Sequence, residues 1–304
     1  MLPGKILGLF YMYGLMIAIG VLLCLGLLYY YGRKKKVEER FIDYVFYNGI
    51  ASIAIGFGSA TLFQSVYNYI DAYKKYGSEA VFEFGGMTFI GGVIGGVVCF
   101  FVIHAFFRKR YKTSLLRIQS FAPCAILIAH GFGRLGCLFA GCCHGFETDA
   151  WYGVRMWSTT YLRYGNFVPT QLFEALFLFA LFAVCFLLVM KKDFKYNFTI
   201  YLIAYGIWRF FIEFIRDDSR GSFVNGLTPS QFWAIVMVIA GVACYFFLRF
   251  LYKLEEKKAA LAVEQGEDTV TESQTIFETT SETVTETSVV ASEEPQTDTG
   301  EDGL

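Results

Sequence analysis

Seven apolar stretches, each long enough to cross a bilayer, constrain this chain more than any other feature. They run about Ile6–Tyr31, Tyr44–Tyr67, Met87–Phe107, Leu115–Leu138, Pro169–Met190, Phe198–Phe214 and Gln231–Leu251. A spanning helix needs about 20 mainly apolar residues, with a tolerated range near 17 to 25. The expected fold class is an all-α polytopic membrane protein with about seven transmembrane helices. The fourth and sixth stretches contain Gly and Arg, so they are expected to be broken or tilted. The composition agrees: 55% of the residues are hydrophobic and 19% aromatic, with five prolines, which excludes an ordinary soluble domain. No nucleic-acid partner is expected.

The formal net charge of -1 hides two unlike regions. After Lys258 the chain holds twelve of its 27 acidic residues and none of its 26 basic ones. The remainder therefore sets 26 basic against 15 acidic residues, a charge of +11. Residues 1–254 read as the transmembrane domain. Residues 255–304, rich in Thr and Glu and almost free of aromatics, read as a disordered acidic tail that cannot bury a core.

Lys and Arg in short loops set orientation. Basic clusters follow the first stretch (Arg33, Lys34, Lys35, Lys36, Arg40), the third (Arg108, Lys109, Arg110, Lys112, Arg117), the fifth (Lys191, Lys192, Lys195) and the seventh (Arg249, Lys253, Lys257, Lys258). These are alternate ends, as seven spans require, so the N-terminus is expected outside and the tail in the cytoplasm. The first stretch does not read as a cleaved signal peptide, because its basic cluster follows the apolar run.

Two arginines lie inside apolar stretches. Arg134 stands in His130-Gly131-Phe132-Gly133-Arg134-Leu135-Gly136-Cys137, and Arg209 in Tyr205-Gly206-Ile207-Trp208-Arg209-Phe210-Phe211-Ile212-Glu213. An arginine at a helix centre costs about 2.5 to 3.5 kcal/mol to insert, so each needs a carboxylate or a lipid phosphate as compensation. Counting at about 1.5 Å per residue from the predicted boundaries puts Arg134 roughly 28 Å in from the cytoplasm, Arg209 roughly 17 Å in, and Tyr13 about 10–12 Å from the outer face. Gln171 and Glu174 open the fifth stretch and Gly85-Gly86-Met87-Thr88 the third, both on the outer side. The polar positions thus share the outer half of the membrane, which points to an outer-leaflet molecule with an anionic head group. Tyr205, Arg209 and Glu213 follow at i, i+4 and i+8 on one helical face, with Arg216 one turn later. Two readings stand: an Arg–Glu pair that only neutralises itself, or Glu213 fixing Arg209 so that its planar fork grips a phosphate. Gly91-Gly92 and Gly95-Gly96 read as helix-packing pairs.

Several segments together resemble the prolipoprotein diacylglyceryl transferase family. They are, in order, Tyr13-Gly14-Leu15-Met16, Gly85-Gly86-Met87-Thr88-Phe89, Gly91-Gly92, Ala122-Pro123, Gly133-Arg134-Leu135-Gly136, Pro169-Thr170-Gln171-Leu172-Phe173-Glu174, Tyr205-Gly206 with Arg209, Glu213 and Arg216, and Ser230-Gln231. The resemblance covers about residues 6–252. It implies transfer of a diacylglyceryl group from phosphatidylglycerol to the lipobox cysteine thiol of a preprolipoprotein, with release of glycerol phosphate. It also implies the outer leaflet of the bacterial cytoplasmic membrane, with membrane lipids as neighbours and no cofactor. Four positions depart from the family pattern. Cys137 replaces an Asn, Ala140-Gly141-Cys142-Cys143-His144-Gly145 replaces a segment with Asn and Glu, Ile90 stands for a histidine, and Gly56-Phe57-Gly58-Ser59 occupies the region of an arginine. A non-catalytic or altered-specificity lipid-handling protein on the same scaffold is the alternative.

On that reading Arg134 and Arg209 bind the phosphate and stabilise the leaving group, Glu213 and Tyr205 orient Arg209, and Tyr13, Gly86, Gln171 and Arg216 line the head-group pocket. His130 or His144 takes the thiol proton, as an imidazole near neutral pH suits. His104 stands beside Arg108 on the cytoplasmic side and reads as structural.

Of the eight cysteines, Cys24, Cys99, Cys124, Cys185 and Cys244 read as small buried hydrophobes. Cys137, Cys142 and Cys143 are clustered. With His144 they offer three thiolates and an imidazole, but C-x4-C-C-H matches no common zinc spacing, and no metal is expected. A Cys142–Cys143 disulfide, or a bridge from either to Cys137, is the other reading of the cluster, and a redox or metal-dependent enzyme built on it is the third function considered.

Overall fold

The structure, a computed structural model, describes residues 5–6, 10–111, 113–217 and 226–290. Lys112 of the expected basic loop and residues 291–304 of the expected tail lie outside the described residues. Among the described residues, seven helices are long and apolar enough to cross a membrane.

Lys5–Ile6 (β1) and Phe10–Tyr11 (β2) pair as an antiparallel ribbon. Helix α1 then runs Met12–Lys34, later than the expected start at Ile6. Its 23 residues already measure about 34 Å, so the span has no need of the first residues. Helix α2 is Glu39–Tyr76 and α3 is Phe89–Phe107. They pack through small residues: a Cβ on Gly56 would sit 3.0 Å from the Gly92 carbonyl oxygen, and Ser59 Oγ donates to the Gly91 carbonyl at 2.9 Å. The glycine pairs are packing devices, as expected. Large side chains on the opposite face of α3, such as Val93, Val97 and Phe101, stay exposed, as hydrocarbon contact demands.

The fourth stretch is broken as expected. Leu116–Gln119 forms a single turn (α4), and α5 restarts at Ala122 and runs to Ala140. Pro123 occupies the first turn of α5; with no N–H and a clashing ring, it could not continue a helix from α4. The sixth stretch is not broken. Helix α7 is continuous over Asn197–Ile212 and tightens into a 3-10 turn at Glu213–Ile215. Gly206 lets the next helix approach, since a Cβ there would meet the Ala234 carbonyl at 2.9 Å. Between α5 and α6 (Thr170–Lys192) lies a hairpin that periodicity arguments about spans do not reveal: β3, Val154–Ser158, and β4, Arg163–Phe167.

The core is built on α1, α5, α6 and α7 around Tyr31, Phe121, Cys124, Leu127, Leu178, Leu181, Cys185, Val189 and Tyr205. Cys124 and Cys185 are buried there as small hydrophobes. The basic ends are tied together. Lys35 pairs with Asp193, Gln119 Nε2 donates to the Lys195 carbonyl at 2.8 Å, and buried Asn197 Nδ2 donates to the Ser120 and Cys185 carbonyls at 3.0 Å each. His104 meets Tyr44 Oη at 3.3 Å, a structural place as expected.

The chain divides into two units, residues 1–245 and 246–304. The last helix, α8, runs Pro229–Val290, so helix continues where a disordered tail is expected after residue 254. The segment Glu255–Gln265, Glu-Glu-Lys-Lys-Ala-Ala-Leu-Ala-Val-Glu-Gln, consists almost wholly of strong helix formers, which composition averaged over the tail conceals.

Candidate functional site

The polar residues gather at the end of the bundle where α5 and α7 finish and α6 and α8 begin. Helix α5 ends in a Schellman turn: Cys142 N–H donates to the Cys137 carbonyl at 3.2 Å and Gly141 N–H to the Leu138 carbonyl at 3.3 Å. Gly141 is left-handed (φ 70), and any Cβ there would collide with the Trp157 carbonyl oxygen. Cys143 is also left-handed (φ 65), an uncommon conformation for a residue with a side chain. The first turn of α6 holds this reversal in place. Gln171 Nε2 donates to the Cys142 carbonyl at 2.6 Å and Thr170 Oγ1 to the Cys143 carbonyl at 2.7 Å.

Arg134 lies twelve residues into α5 and Arg209 twelve residues into α7, about 18 Å along each helix. Each thus lies the same number of residues from the start of its own helix, because α5 starts at Ala122 and not at Leu115. Arg134 Nε pairs with Glu174 Oε2 of α6 at 3.1 Å, and its Nη2 donates to Tyr205 Oη at 3.2 Å. Tyr205 Oη in turn donates to Glu174 Oε1 at 2.7 Å. Three helices thereby close a triangle round one guanidinium. These contacts use two of the five donors a guanidinium carries, and the Nη1 edge is not among them. His130, one turn deeper on α5, packs edge-on against Tyr205 with ring centroids 4.7 Å apart, and its Nδ1 lies 3.3 Å from Tyr201 Oη.

Arg209 is held differently. Its Nη1 pairs with Glu213 Oε2 at 2.7 Å and its Nη2 donates to Ser230 Oγ at 2.7 Å. Glu213 also accepts from Thr228 Oγ1 at 3.0 Å and lies 3.6 Å from Arg216 Nε. Thr228 and Gln231 form a reciprocal capping box at the start of α8, with Gln231 N–H to Thr228 Oγ1 at 3.2 Å and Thr228 N–H to Gln231 Oε1 at 3.1 Å. The Arg209–Glu213 pair thus staples the end of α7 to the start of α8. Arg216 adds an antiparallel bridge to Gly145.

Tyr13 reaches the same region. It packs on Gly136, whose added Cβ would lie 3.2 Å from Tyr13 Cδ2, and it is within electrostatic reach of Arg134, Cys137, Cys142 and Cys143. Gly86 is left-handed (φ 72) and sits against Gln64 of α2, while Thr88 Oγ1 donates to Gln64 Oε1 at 2.5 Å. Nothing links Gly86 directly to the arginines among the described residues. Gln171 is almost wholly buried; it serves as a clamp on the cysteine turn, and its Oε1 has no hydrogen-bond partner.

Three expectations are revised. Tyr205 holds Arg134 and not Arg209: its hydroxyl reaches across to α5 and α6, although i, i+4 spacing puts Tyr205 and Arg209 on one face. His144 does not meet either intramembrane arginine. It is 2% exposed, and its Nδ1 lies 2.9 Å from the Gly145 carbonyl and its Nε2 2.6 Å from Ser158 Oγ. One ring nitrogen serves the adjacent backbone and the other the hairpin, and Phe167 covers the ring at 4.2 Å. Glu174 belongs to the site and is absent from the expected set. Its signal was available, since a carboxylate six residues into a motif opening an apolar span needs a cation. Ser230 and Thr228 also act here, and the Thr-x-x-Gln pattern announces the latter. Beyond the helices, Arg163 grips Glu147 with hydrogen bonds of 2.8 and 2.6 Å and holds that exposed carboxyl below its usual range.

The family model for prolipoprotein diacylglyceryl transferase matches residues 6–247. The chain belongs to that family. A relative from Clostridium perfringens (strain 13 / Type A), phosphatidylglycerol–prolipoprotein diacylglyceryl transferase 2, is 32% identical over 249 residues, which cover 80% of this chain and 93% of that one. The transferase of Clostridium tetani (strain Massachusetts / E88) is 30% identical over 245 residues, covering 79% and 94%. That of Clostridioides difficile (strain 630) is 28% identical over 241 residues, covering 78% and 90%. The matched region includes every residue of the arginine network and ends before the acidic tail. Among the described residues the chain is a multi-pass helical membrane protein.

Proposed function

We propose that this chain transfers a diacylglyceryl group from phosphatidylglycerol to the cysteine thiol of a prolipoprotein. The observation that carries this reading is Arg134, held by Glu174 and Tyr205 from two other helices with the Nη1 edge of its guanidinium outside that triangle. A phosphodiester at that edge would receive a charge-assisted, planar pair of donors. The same contact strengthens as the glycerol phosphate leaves with growing negative charge. Membership of the family supplies the substrate pair. Arg209 sets the second positive charge, Glu213 and Ser230 hold it in place, and Tyr13 borders the pocket. His130 stands one turn deeper than Arg134 and is assigned to positioning Tyr205. A thiol arriving from the open end would meet Arg134 first.

The proposed setting is the outer leaflet of a bacterial cytoplasmic membrane, with the N-terminus outside. The basic ends of α1, α3 and α6 lie opposite the site end, as the positive-inside bias requires. A reporter fused after Lys258 should therefore stay cytoplasmic, and a periplasmic or extracellular signal would reverse the orientation. Purified protein in phosphatidylglycerol vesicles should release glycerol phosphate and lipidate a lipobox peptide carrying Cys. With neither product, the lipid-handling alternative on the same scaffold replaces this reading.

A further inference from the structure

The turn after α5 brings three sulfurs together. The Sγ atoms of Cys137, Cys142 and Cys143 all lie within 4.8 Å of one another, at intermediate burial. No disulfide joins them. The convergence is built into the backbone. The Schellman turn returns the chain over the last turn of α5, Cys143 takes a left-handed conformation, and the carbonyls of Cys142 and Cys143 are pinned to α6 by Gln171 and Thr170. Cys137 stands three residues after Arg134, on the same helical face.

We propose that Cys137, Cys142 and Cys143 form a zinc site whose fourth position receives the acceptor cysteine thiolate. Zinc bonds to thiolate at about 2.3 Å, which sets tetrahedral sulfurs about 3.8 Å apart; side-chain rotation of about an ångström closes the observed spacing. Three protein ligands plus a fourth position open to water or substrate is the pattern of catalytic zinc. The neighbouring imidazole is not a fourth ligand, because both nitrogens of His144 are engaged with Gly145 and Ser158. Monovalent copper would be satisfied by three thiolates alone, leaving no place for a fourth sulfur. The guanidinium of Arg134 offsets the negative charge of three thiolates around a divalent ion.

The proposal rests on the transferase reading for its role. On coordination the acceptor thiol loses its proton to solvent. The sulfur lone pair then forms the S–C bond to the glyceryl carbon, the C–O bond to phosphate breaks, and glycerol phosphate leaves with the bonding pair beside Arg134. No oxidant or reductant enters.

The test uses full-length protein purified under reducing conditions into lipid nanodiscs. Elemental analysis should find one zinc per chain, lost in Cys137→Ser, Cys142→Ser and Cys143→Ser and kept in Cys99→Ala. Cobalt-loaded protein should show tetrahedral thiolate absorption that intensifies with a lipobox peptide carrying Cys and not with its Ser counterpart. Chelation should lower transfer about tenfold or more, with recovery on added zinc. Zinc no higher than in the triple Cys→Ser variant overturns the site, even if transfer is intact. Zinc bound with a cobalt spectrum indifferent to the thiol overturns the role in acceptor binding. Stoichiometric zinc and a thiol response with no diacylglyceryl product would keep the metal site and reject the transferase reading.

Discussion

Arg134 and Arg209 are both intramembrane arginines paired with a glutamate, yet the two regions are built on opposite plans. Arg209 finds Glu213 on its own helix, at i+4, and both ends of its guanidinium are taken, by Glu213 and by Ser230. Glu213 also serves Arg216 and Thr228. This region is a closed staple between α7 and α8. Arg134 finds Glu174 and Tyr205 on two other helices. Its side chain is 17% exposed against 9% for Arg209, and its Nη1 edge lies outside the triangle. The closed arrangement suits holding helices together, and the open one suits a ligand. A charge on a membrane helix therefore says little about its role until it is known which edge of its guanidinium is committed.

The largest expected effect comes from the open region. Arg134→Lys keeps the charge and loses the fork, so transfer should fall about a hundredfold or more while the protein still inserts. Near-parental turnover in that variant would demote Arg134 to a counter-charge for Glu174. Next comes the staple: Arg209→Lys cannot bridge Glu213 and Ser230 together. A fall of about tenfold is expected, with a lower melting midpoint, since truncating one partner of a buried pair leaves the other uncompensated. If Arg209→Lys cost more activity than Arg134→Lys at equal folded protein, the roles drawn for the two regions would have to be exchanged.

His130→Gln should reduce turnover several-fold by loosening Tyr205 and should leave the pH profile of transfer unchanged, because His130 is assigned to positioning Tyr205 and not to taking the proton. A pH profile that loses a limb in this variant would make His130 the proton acceptor. His144→Gln should lower stability by about 1–3 kcal/mol through the lost Ser158 contact and leave turnover per folded molecule intact. The smallest effect is expected from truncation after Lys258, where insertion and transfer should match the full chain; loss of transfer at equal protein level would give the acidic segment a function.

Much of the staple is legible in the residues themselves. Tyr205, Arg209 and Glu213 repeat with the helical period, and Thr228-x-x-Gln231 signals the start of α8. The open region is not legible in this way, because Arg134 and Glu174 are forty positions apart and no local period relates them. The β3–β4 hairpin is hidden for a similar reason: its alternation over five residues is short and lies between two far stronger apolar signals. His144 reads as an available base because it is an imidazole in a loop, whereas its hydrogen bonds engage both nitrogens.

The sequence by itself determined the seven spans, their alternating basic ends, the family and the two arginines. Length, hydropathy and local spacing carry all of these, and a bilayer leaves an apolar segment of that length few options but a helix. Tertiary structure alone decided which carboxylate faces Arg134, which arginine leaves its Nη1 edge outside its partners, and that three cysteines spread over seven positions turn their sulfurs toward one point. Those outcomes depend on the rotation and depth of each helix against its neighbours and on two left-handed residues at the end of α5, quantities that packing sets and no local pattern records.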